Sequence, residues 1–321
     1  MKTRTIAIYG LDRIGASVGL ALKASHLEVS VVGYDKDRDT LKSALETGAI
    51  DESQWRLPKA ARGADIHIIS LPATEIDATL QAIAGELHEH ALVVDLSSPK
   101  VPGLEAADRH LKLGYYVGAV PVLSARALAD GRRSIAGARP DLFQDSVFCL
   151  MPAADADPEA VETVVNLGSV LGARPFFVDP AEYDNLVLGV ETVPGLLAAA
   201  LFSAVTDAIG WRDMLRFADL PFAQATMPLI EDESIALRAL NDQAATLRWL
   251  DEVLEALRGM RDLVAAGEPE QLAAWLQKLN DEREKWLRER EENNWEEPVE
   301  SDFKPRSMME HFLGRHSGTA T

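Results

Sequence analysis

The sequence predicts an α/β protein, with a doubly wound parallel sheet followed by an all-helical C-terminal domain. Short, continuous apolar runs alternate with helical patterns over residues 1–179, and strand-like runs stop after about Pro180. Such alternation is typical of βα units whose parallel sheet is covered on both faces. We therefore expect one domain over residues 1–179, a helical domain over 180–290, and a polar, flexible tail over 291–321.

The predicted strands are short and are bounded by turn residues or helical patterns. They cover Thr5–Tyr9, Val29–Tyr34, Asp65–Leu71, Ala91–Leu96, Val147–Met151 and Pro175–Val178. A first helix is expected after Gly10, and further helices over Asp37–Thr47 and Thr74–Leu87. This order of strands and helices is the basis for the doubly wound sheet.

A helical stripe marks the second domain. Apolar residues recur there at spacings of three and four, which is the period of one helix face: Leu240, Ala244, Leu247, Leu250, Leu254, Leu257 and Val264. The simpler interpretation is that this stripe belongs to the core of the domain. The alternative is a helix–helix interface between two copies, and we expect the protein to form a homodimer through its helical domain.

Composition excludes several classes of protein. The 321 residues include 32 basic and 51 acidic side chains, which gives a net charge of −19 and disfavours binding to nucleic acid or anionic membranes. The single cysteine, Cys149, excludes an internal disulfide and a cysteine-based zinc cluster, so we expect no metal. No apolar run is expected to reach the ~18 residues of a membrane span. Without a signal-peptide pattern, these features predict a cytoplasmic protein.

A glycine-rich turn lies between the first strand and the first helix. It reads Gly10, Leu11, Asp12, Arg13, Ile14 and Gly15, and Asp35 follows the second strand. Strand, tight turn, helix and a later acid together form a Rossmann-type dinucleotide signature, in which the acid binds the ribose and favours NAD over NADP. Asp35 is alternatively a turn or helix-capping residue.

Asp12 stands where this signature normally has its middle glycine. A carboxylate about 4 Å from a phosphate charge costs about 4 kcal/mol at an effective dielectric constant near 20. Arg13 could offset this cost by facing the phosphates, or could pair with Asp12 in solvent. The fold is therefore predicted more firmly than NAD binding itself.

Several further segments are colinear with those of one enzyme family. In addition to the glycine turn, they are Val32–Asp35, Asp95–Lys100, Gly118–Pro121, Asp141–Phe143, Asp179–Asp184 and Trp211–Ala218. In this set of segments the chain resembles the prephenate/arogenate dehydrogenase family of tyrosine biosynthesis. The resemblance implies an N-terminal dinucleotide-binding domain and a helical domain through which the protein dimerises.

The resemblance also implies a reaction. Members of the family oxidatively decarboxylate prephenate or arogenate: NAD(P) accepts a hydride from the ring carbon that bears the hydroxyl, and CO₂ leaves. By position, Ser98 would support the hydroxyl contact as a catalytic residue, and Arg216 would receive a substrate carboxylate. Lys100 matches the family's basic residue two places past the serine, and it would belong to the substrate-binding residues together with Arg216 and Thr192. The alternatives are a turn residue for Ser98, a solvated Lys100, and an Arg216 paired with Asp213.

The chain departs from the family where proton chemistry is needed. Val120 replaces the histidine of a Gly-Ala-His-Pro segment, Thr192 replaces a second histidine in the substrate-binding region, and Tyr183 replaces a third. A valine cannot accept a proton. Three hypotheses remain: a weak or redirected dehydrogenase, a catalytically silent binding or regulatory protein, and an NAD-dependent reductase that uses Tyr183 or Glu191 as its base.

Overall fold

The computed structural model describes residues 4–25, 27–128 and 132–292. The chain divides into two compact units, of which the first comprises Met1–Pro180 with Asp281–Thr321 and the second comprises Ala181–Asn280. The first boundary lies next to the predicted one, whereas the end of the last helix groups with the N-terminal unit. From residue 293 onward, the predicted polar tail lies outside the described residues.

The first unit contains an eight-stranded sheet with the order β3-β2-β1-β4-β5-β6-β7-β8. The strands β1 to β8 are Arg4–Tyr9, Val29–Tyr34, Glu52–Gln54, Ile66–Ile69, Leu92–Asp95, Tyr115–Pro121, Val147–Pro152 and Arg174–Phe177. Every adjacent pair is parallel except β6 and β7, which are antiparallel. The predicted doubly wound sheet is confirmed.

Two strands were not predicted, for different reasons. The strand β3 consists of three polar residues at the edge of the sheet, so it has no apolar run to reveal it. The strand β6 contains Gly118 and ends at Pro121, and both residues weaken a strand signal. The local sequence of β6 only weakly favours a strand, and β6 is extended because it pairs with β5 and β7.

Six helices accompany this sheet in the described residues of the first unit. The helices α1 to α6 are Arg13–Ala24, Arg38–Glu46, Leu57–Ala61, Ile76–Ile83, Val101–His110 and Pro158–Val170. Successive residues of β1 point to opposite faces of the sheet, since Ile6 and Ile8 belong to one buried apolar cluster and Ala7 and Tyr9 to another. Both faces are thus covered, as the continuous apolar strands predicted.

The second unit is helical throughout its described residues. The helices α7 to α12 are Pro180–Val187, Val193–Thr206, Trp211–Met214, Leu220–Thr226, Asp232–Asn241 and Gln243–Ala266. The last helix, α13, is Pro269–Glu292, and its residues from Asp281 onward belong to the first unit. A π-helical turn, Leu188–Thr192, joins α7 to α8.

The apolar stripe of the second unit is not a core within the single chain. Leu240, Leu247, Leu254, Leu257 and Val264 are all exposed, with 46–66% of their surface accessible. The expectation that this stripe packs inside its own domain is therefore wrong. Periodicity showed that one helix face is apolar, but it carried no information on which partner covers that face.

The expectation that no apolar run could span a membrane is wrong for Pro180–Thr206. This helix of 27 residues contains an 18-residue window with a mean hydropathy of 1.8, of which 28% is buried. Only length and composition point to a membrane, and a helix covered by another protein chain shares both properties. Glu191 lies exposed within the helix.

His67 is a buried, neutral imidazole in the sheet. Its side chain has no exposed surface, and its Nδ1 lies 2.8 Å from the hydroxyl of Tyr9. Burial lowers the pKa of His67 from 6.5 to about 4. The unfolded chain therefore binds a proton that the folded chain excludes between these two pH values, and folding loses stability as the pH falls through that range.

We predict that this histidine steepens acid destabilisation. From pH 7.5 to pH 5, wild type should lose about 2 kcal/mol more unfolding free energy than His67→Asn, because the asparagine has no proton to take up. Urea unfolding at both pH values measures the difference. His90→Asn changes an exposed histidine and serves as the control. Equal acid slopes in wild type and His67→Asn would contradict the prediction.

Candidate functional site

The carboxyl ends of the parallel strands gather the predicted site residues of the first unit. Gly10 follows β1, Asp35 follows β2 and Ser98 lies beyond the end of β5, while Val120 is the penultimate residue of β6. The strand order reverses between β1 and β4, and open α/β sheets bind ligands at such a switch point. The topology thus brings the predicted cofactor and catalytic residues to one edge of the sheet.

Two glycines of the turn are required by backbone geometry. Gly10 has a φ of +87°, and a Cβ there would lie 2.1 Å from the carbonyl oxygen of Ser70. A Cβ on Gly15 would lie 1.9 Å from the carbonyl oxygen of Gly10. Both positions exclude any larger residue, so the close approach of strand, turn and helix predicted by the signature is present.

Asp12 caps the first helix. Its Oδ1 accepts hydrogen bonds from the amides of Ile14 and Gly15, each at 3.0 Å, and from the hydroxyl of Ser70 at 3.3 Å. Desolvation raises the pKa of Asp12, and the two amide hydrogen bonds oppose that rise. The carboxylate therefore occupies the anion-binding end of α1, where helix dipole and free amides attract negative charge.

Asp35 holds the glycine turn against the end of β2. Its Oδ2 accepts from the Leu11 amide at 2.8 Å, and its Oδ1 accepts from the Asp37 amide at 2.9 Å. These hydrogen bonds match the alternative role considered for Asp35, that of a turn residue. Each carboxylate oxygen keeps a lone pair, so these bonds are compatible with the predicted ribose contact.

Arg13 follows neither arrangement considered from the sequence. Its side chain is buried, and its guanidinium donates to the carbonyl oxygens of Arg132 at 2.6 Å and Ala127 at 3.5 Å. These acceptors belong to the segment after β6, far away in sequence. Local reasoning could not find them, because backbone carbonyls carry no residue-specific signal.

These residues form the backbone turn and the ribose-side acid of a dinucleotide site, but they leave no open position for its phosphates. The glycines and Asp35 are in place, whereas the amides of Ile14 and Gly15 already bond to Asp12. A pyrophosphate at the same amides would meet the Asp12 carboxylate. In the arrangement described, the phosphate position is taken by the chain itself.

The Ser98 hydroxyl lies at the same edge of the sheet and lacks a hydrogen-bond partner among the described residues. Its Oγ is buried and makes no hydrogen bond in the described part of the chain. Residues Asp95 of β5 and Gly118 of β6 are paired, so Ser98 and Val120 lie on neighbouring chain segments at the same edge. A side chain able to accept a proton is absent from position 120.

Lys100 lies inside the domain. Its side chain has no exposed surface, and its Nζ donates to the carbonyl oxygens of Asp95 at 2.7 Å and Ala119 at 3.1 Å. The alternative of a solvated Lys100 is therefore wrong. The lysine joins the end of β5 to β6 directly before Val120, a contact that reasoning from the sequence missed.

The buried Asp95 organises the same region. Its Oδ2 accepts from the hydroxyls of Tyr116 at 2.6 Å and Ser97 at 3.0 Å, and its Oδ1 accepts from the Ser97 amide at 2.8 Å. These bonds fix the backbone immediately before Ser98. A buried carboxylate of this kind is stable because several donors satisfy it.

The second unit carries the remaining predicted residues. Thr192 is fully buried, and its Oγ1 accepts from Arg238 Nε at 3.3 Å, so its hydroxyl faces the interior of that unit. Arg216 is exposed and its Nη1 lies 3.5 Å from Asp213 Oδ1, which matches the ion pair considered as its alternative. Tyr183 is buried, whereas Glu191 is exposed.

The histidines in the described part of the chain lie away from the carboxyl edge. His67 is inside β4, His88 and His90 precede β5 at its amino end, and His110 ends α5. His88 and His110 lie within 4 Å of Asp65 and Asp77, respectively. None of these four is placed to replace the missing base beside Ser98.

Comparison with known proteins matches this architecture. A family model described as "Prephenate dehydrogenase, nucleotide-binding domain" matches residues 18–176. A prephenate dehydrogenase from Bacillus subtilis is 29% identical over 201 residues, which cover 61% of this chain and 52% of the relative. The chain thus spans about half the length of that relative.

Two further proteins match over more of their length. A cyclohexadienyl dehydrogenase from Zymomonas mobilis is 24% identical over 264 residues, which cover 81% of this chain and 88% of the relative. The crystal structure of prephenate dehydrogenase from Aquifex aeolicus, in complex with hydroxyphenyl propionate and NAD⁺, superposes with a TM-score of 0.74 at 18% identity. That superposition covers 89% of this chain and 99% of the other, and it shows the shared fold.

We predict that Asp12→Gly strengthens NAD binding by at least about tenfold, because the substitution removes both a charge and a Cβ from the phosphate position. Isothermal titration calorimetry measures the affinity. Asp157→Gly is the matched control, since Asp157 caps α6 through the amides of Glu159 and Ala160 with the same geometry. The control should lose stability without gaining affinity, and unchanged NAD affinity in Asp12→Gly would contradict the prediction.

Proposed function

The chain belongs to the prephenate/arogenate dehydrogenase family, and on that premise we propose that it binds a cyclohexadienyl carboxylate of tyrosine biosynthesis and oxidises it weakly or not at all. The family reaction is an NAD-dependent oxidative decarboxylation. The chain retains the nucleotide-binding domain and the serine of that reaction, but it lacks the proton acceptor. Substrate recognition is therefore better supported than turnover.

The observation that carries this proposal is the environment of the Ser98 hydroxyl. It is buried beside the segment that carries Val120, and it has no hydrogen-bond partner within residues 4–25, 27–128 and 132–292. A substrate hydroxyl at this position could receive or donate a hydrogen bond through Ser98 Oγ. Oxidation of that carbon also requires loss of the hydroxyl proton, and a serine without an adjacent base does not accept it at neutral pH.

The proposed cofactor is NAD rather than NADP. Asp35 lies at the end of β2, next to the glycine turn, where an additional 2′-phosphate would meet its negative charge. NAD would supply the hydride acceptor when bound. The phosphate position held by Asp12 weakens such binding, which is a further reason to expect slow turnover.

A carboxylate-bearing substrate requires a cation, and Arg216 is our candidate. Its ion pair with Asp213 is exposed, and exposed ion pairs contribute little free energy. A substrate carboxylate could therefore replace the Asp213 carboxylate as the partner of Arg216 at little cost in free energy. Lys100 contributes to the site by fixing the chain on either side of Ser98 and Val120. Thr192 would need a rearrangement of the second unit before it could contact substrate, because it is buried.

A catalytically silent binding or regulatory protein is the second candidate function. It is favoured by one specific observation, namely that the helix amides of the phosphate position are already satisfied by Asp12. A site with no open phosphate position and no base can still bind a small carboxylate at Ser98. The third hypothesis, a reductase with Tyr183 or Glu191 as base, gains no comparable observation.

We also propose a cytoplasmic homodimer formed through the helical unit. Of 26 exposed large apolar residues in the described chain, 19 lie between residues 181 and 280. Exposed apolar surface of this extent marks an interaction site. A second copy presents the same stripe and can cover it by two-fold symmetry, whereas a membrane would have to accommodate the exposed Glu191.

We predict that wild type oxidises prephenate and arogenate at least about 10³-fold more slowly than an active relative, which is within the usual cost of losing a positioned acid–base group. The double variant Asp12→Gly/Val120→His should recover part of this rate, because it restores the phosphate position and the imidazole. Initial rates of NADH formation with each substrate measure the effect.

Val122→His is the control for that double variant. It introduces the same imidazole just beyond the end of β6 and should recover no activity. Rapid turnover by wild type would show that another group acts as the base and would refute this assignment of the site.

We predict that charge on the stripe dissociates the dimer. Leu247→Glu/Leu254→Glu should give a monomer mass in light scattering, while wild type should give twice that mass, because carboxylates cannot be buried in an apolar interface without large cost. Leu113→Glu changes an exposed leucine of the first unit and should leave the dimer intact. A wild-type monomer, or association only with detergent micelles, would refute the homodimer.

A further inference from the structure

The N-terminus of α1 is closed by acceptors from two parts of the chain. The Arg13 amide donates to the carbonyl oxygen of Arg133 at 3.1 Å. The next two amides, of Ile14 and Gly15, donate to Asp12 Oδ1 at 3.0 Å each. These are amides that a bound phosphate would need at a helix N-terminus, and each already has an acceptor.

The Arg13 side chain keeps the distant segment in place. Its guanidinium is buried and donates to the carbonyl oxygens of Arg132 and Ala127. One turn further along α1, the hydroxyl of Ser17 accepts from the Arg139 amide at 3.0 Å. Backbone groups of the segment after β6 are therefore bonded to the first and second turns of α1.

Phosphate oxygens are stronger acceptors for the Arg13 guanidinium than the Arg132 and Ala127 carbonyls are. Guanidinium groups bind phosphate oxygens through charge-assisted, often paired hydrogen bonds, which are stronger than bonds to a neutral carbonyl. Arg13 belongs to the same turn as the amides that a phosphate would occupy. A phosphate could replace the Arg132 and Ala127 carbonyls as acceptors for two of its N–H groups.

We propose that the protein carries an internal occupant of its dinucleotide-phosphate position, formed by the Asp12 carboxylate and the Arg133 carbonyl, and that a dinucleotide binds by displacing both. Displacement detaches the Arg132 and Arg133 carbonyls from α1, and the phosphates then replace the Arg132 and Ala127 carbonyls as acceptors from Arg13. This inference rests on the proposed function, because it concerns the cofactor of the same site. The proposed function is extended by an internal group that competes with the dinucleotide phosphates and whose displacement should move Arg132 and Arg133.

The first test separates the contribution of the phosphates to binding affinity from that of the nucleoside. Calorimetry with adenosine and with ADP should give similar affinities in wild type, because the internal occupant denies the phosphates their amides. In Asp12→Gly, ADP should bind at least about tenfold more tightly than adenosine. A wild-type preference for ADP of tenfold or more would overturn the inference.

The variant Asp12→Asn distinguishes occupation of the α1 amides from electrostatic repulsion of the phosphates. Asparagine is as good a helix cap as aspartate and keeps an acceptor at Oδ1, but it carries no negative charge. The inference expects Asp12→Asn to gain clearly less ADP affinity than Asp12→Gly. Equal gains in the two variants would show that repulsion alone excludes the phosphates, and would overturn the proposed internal occupant.

The second test detects the movement of the segment. Trypsin cleavage after Arg132 and Arg133, followed by mass spectrometry, should become faster in Asp12→Gly when NAD saturates the protein. Both arginines are exposed, so their cleavage rates depend on whether the backbone can leave α1. Protection by NAD, or an unchanged rate, would overturn the proposed displacement.

The outcomes separate this inference from the proposed function. Tight NAD binding and faster cleavage in Asp12→Gly, with no turnover of either substrate by Asp12→Gly/Val120→His, would support the occupant and contradict the predicted recovery of dehydrogenase activity. Tight NAD binding by wild type, unaffected by Asp12→Gly, would overturn only the occupant. Failure of every variant to bind adenosine, ADP or NAD would overturn both.

Discussion

The hydrogen bonds from Asp12 to the first turn of α1 are the constraint on which the candidate site depends. A helix N-terminus leaves amides without intrahelical partners, and something must accept from them. Here the acceptors are Asp12 and the Arg133 carbonyl, while Asp35 accepts from Leu11 in the preceding turn. The turn is consequently satisfied by the chain itself.

The sequence was sufficient for those features that depend on local pattern or on steric necessity. Alternation of apolar runs and helical stretches predicted the sheet, and the spacing of Gly10, Gly15 and Asp35 predicted the turn that joins β1 to α1. These residues are constrained by immediate neighbours, as the backbone clashes of a Cβ at either glycine show. The strand β3 escaped prediction because its three polar residues form a strand only through pairing with β2.

The features that could not be predicted depend on contacts between residues distant in sequence. Arg13 turns towards carbonyls that lie more than 110 residues away, and Lys100 is buried between the ends of two strands. Charged residues are rarely buried, so their sequence pattern favours solvent until the acceptors are known. The exposed stripe of α12 shows the converse, because its period defines an apolar face and leaves the covering partner undefined.

The two halves of the site differ in a way that bears on function. At the cofactor half, Asp12 satisfies the helix amides, and a cap of this kind stabilises a protein by about 1 kcal/mol. At the proposed substrate half, the buried Ser98 hydroxyl has no partner among the described residues, which costs about 1–3 kcal/mol relative to a satisfied group. The proposed substrate would satisfy this hydroxyl, whereas Asp12 already satisfies the amides at the phosphate position. The proposed substrate recognition at Ser98 therefore does not require an open phosphate position at α1.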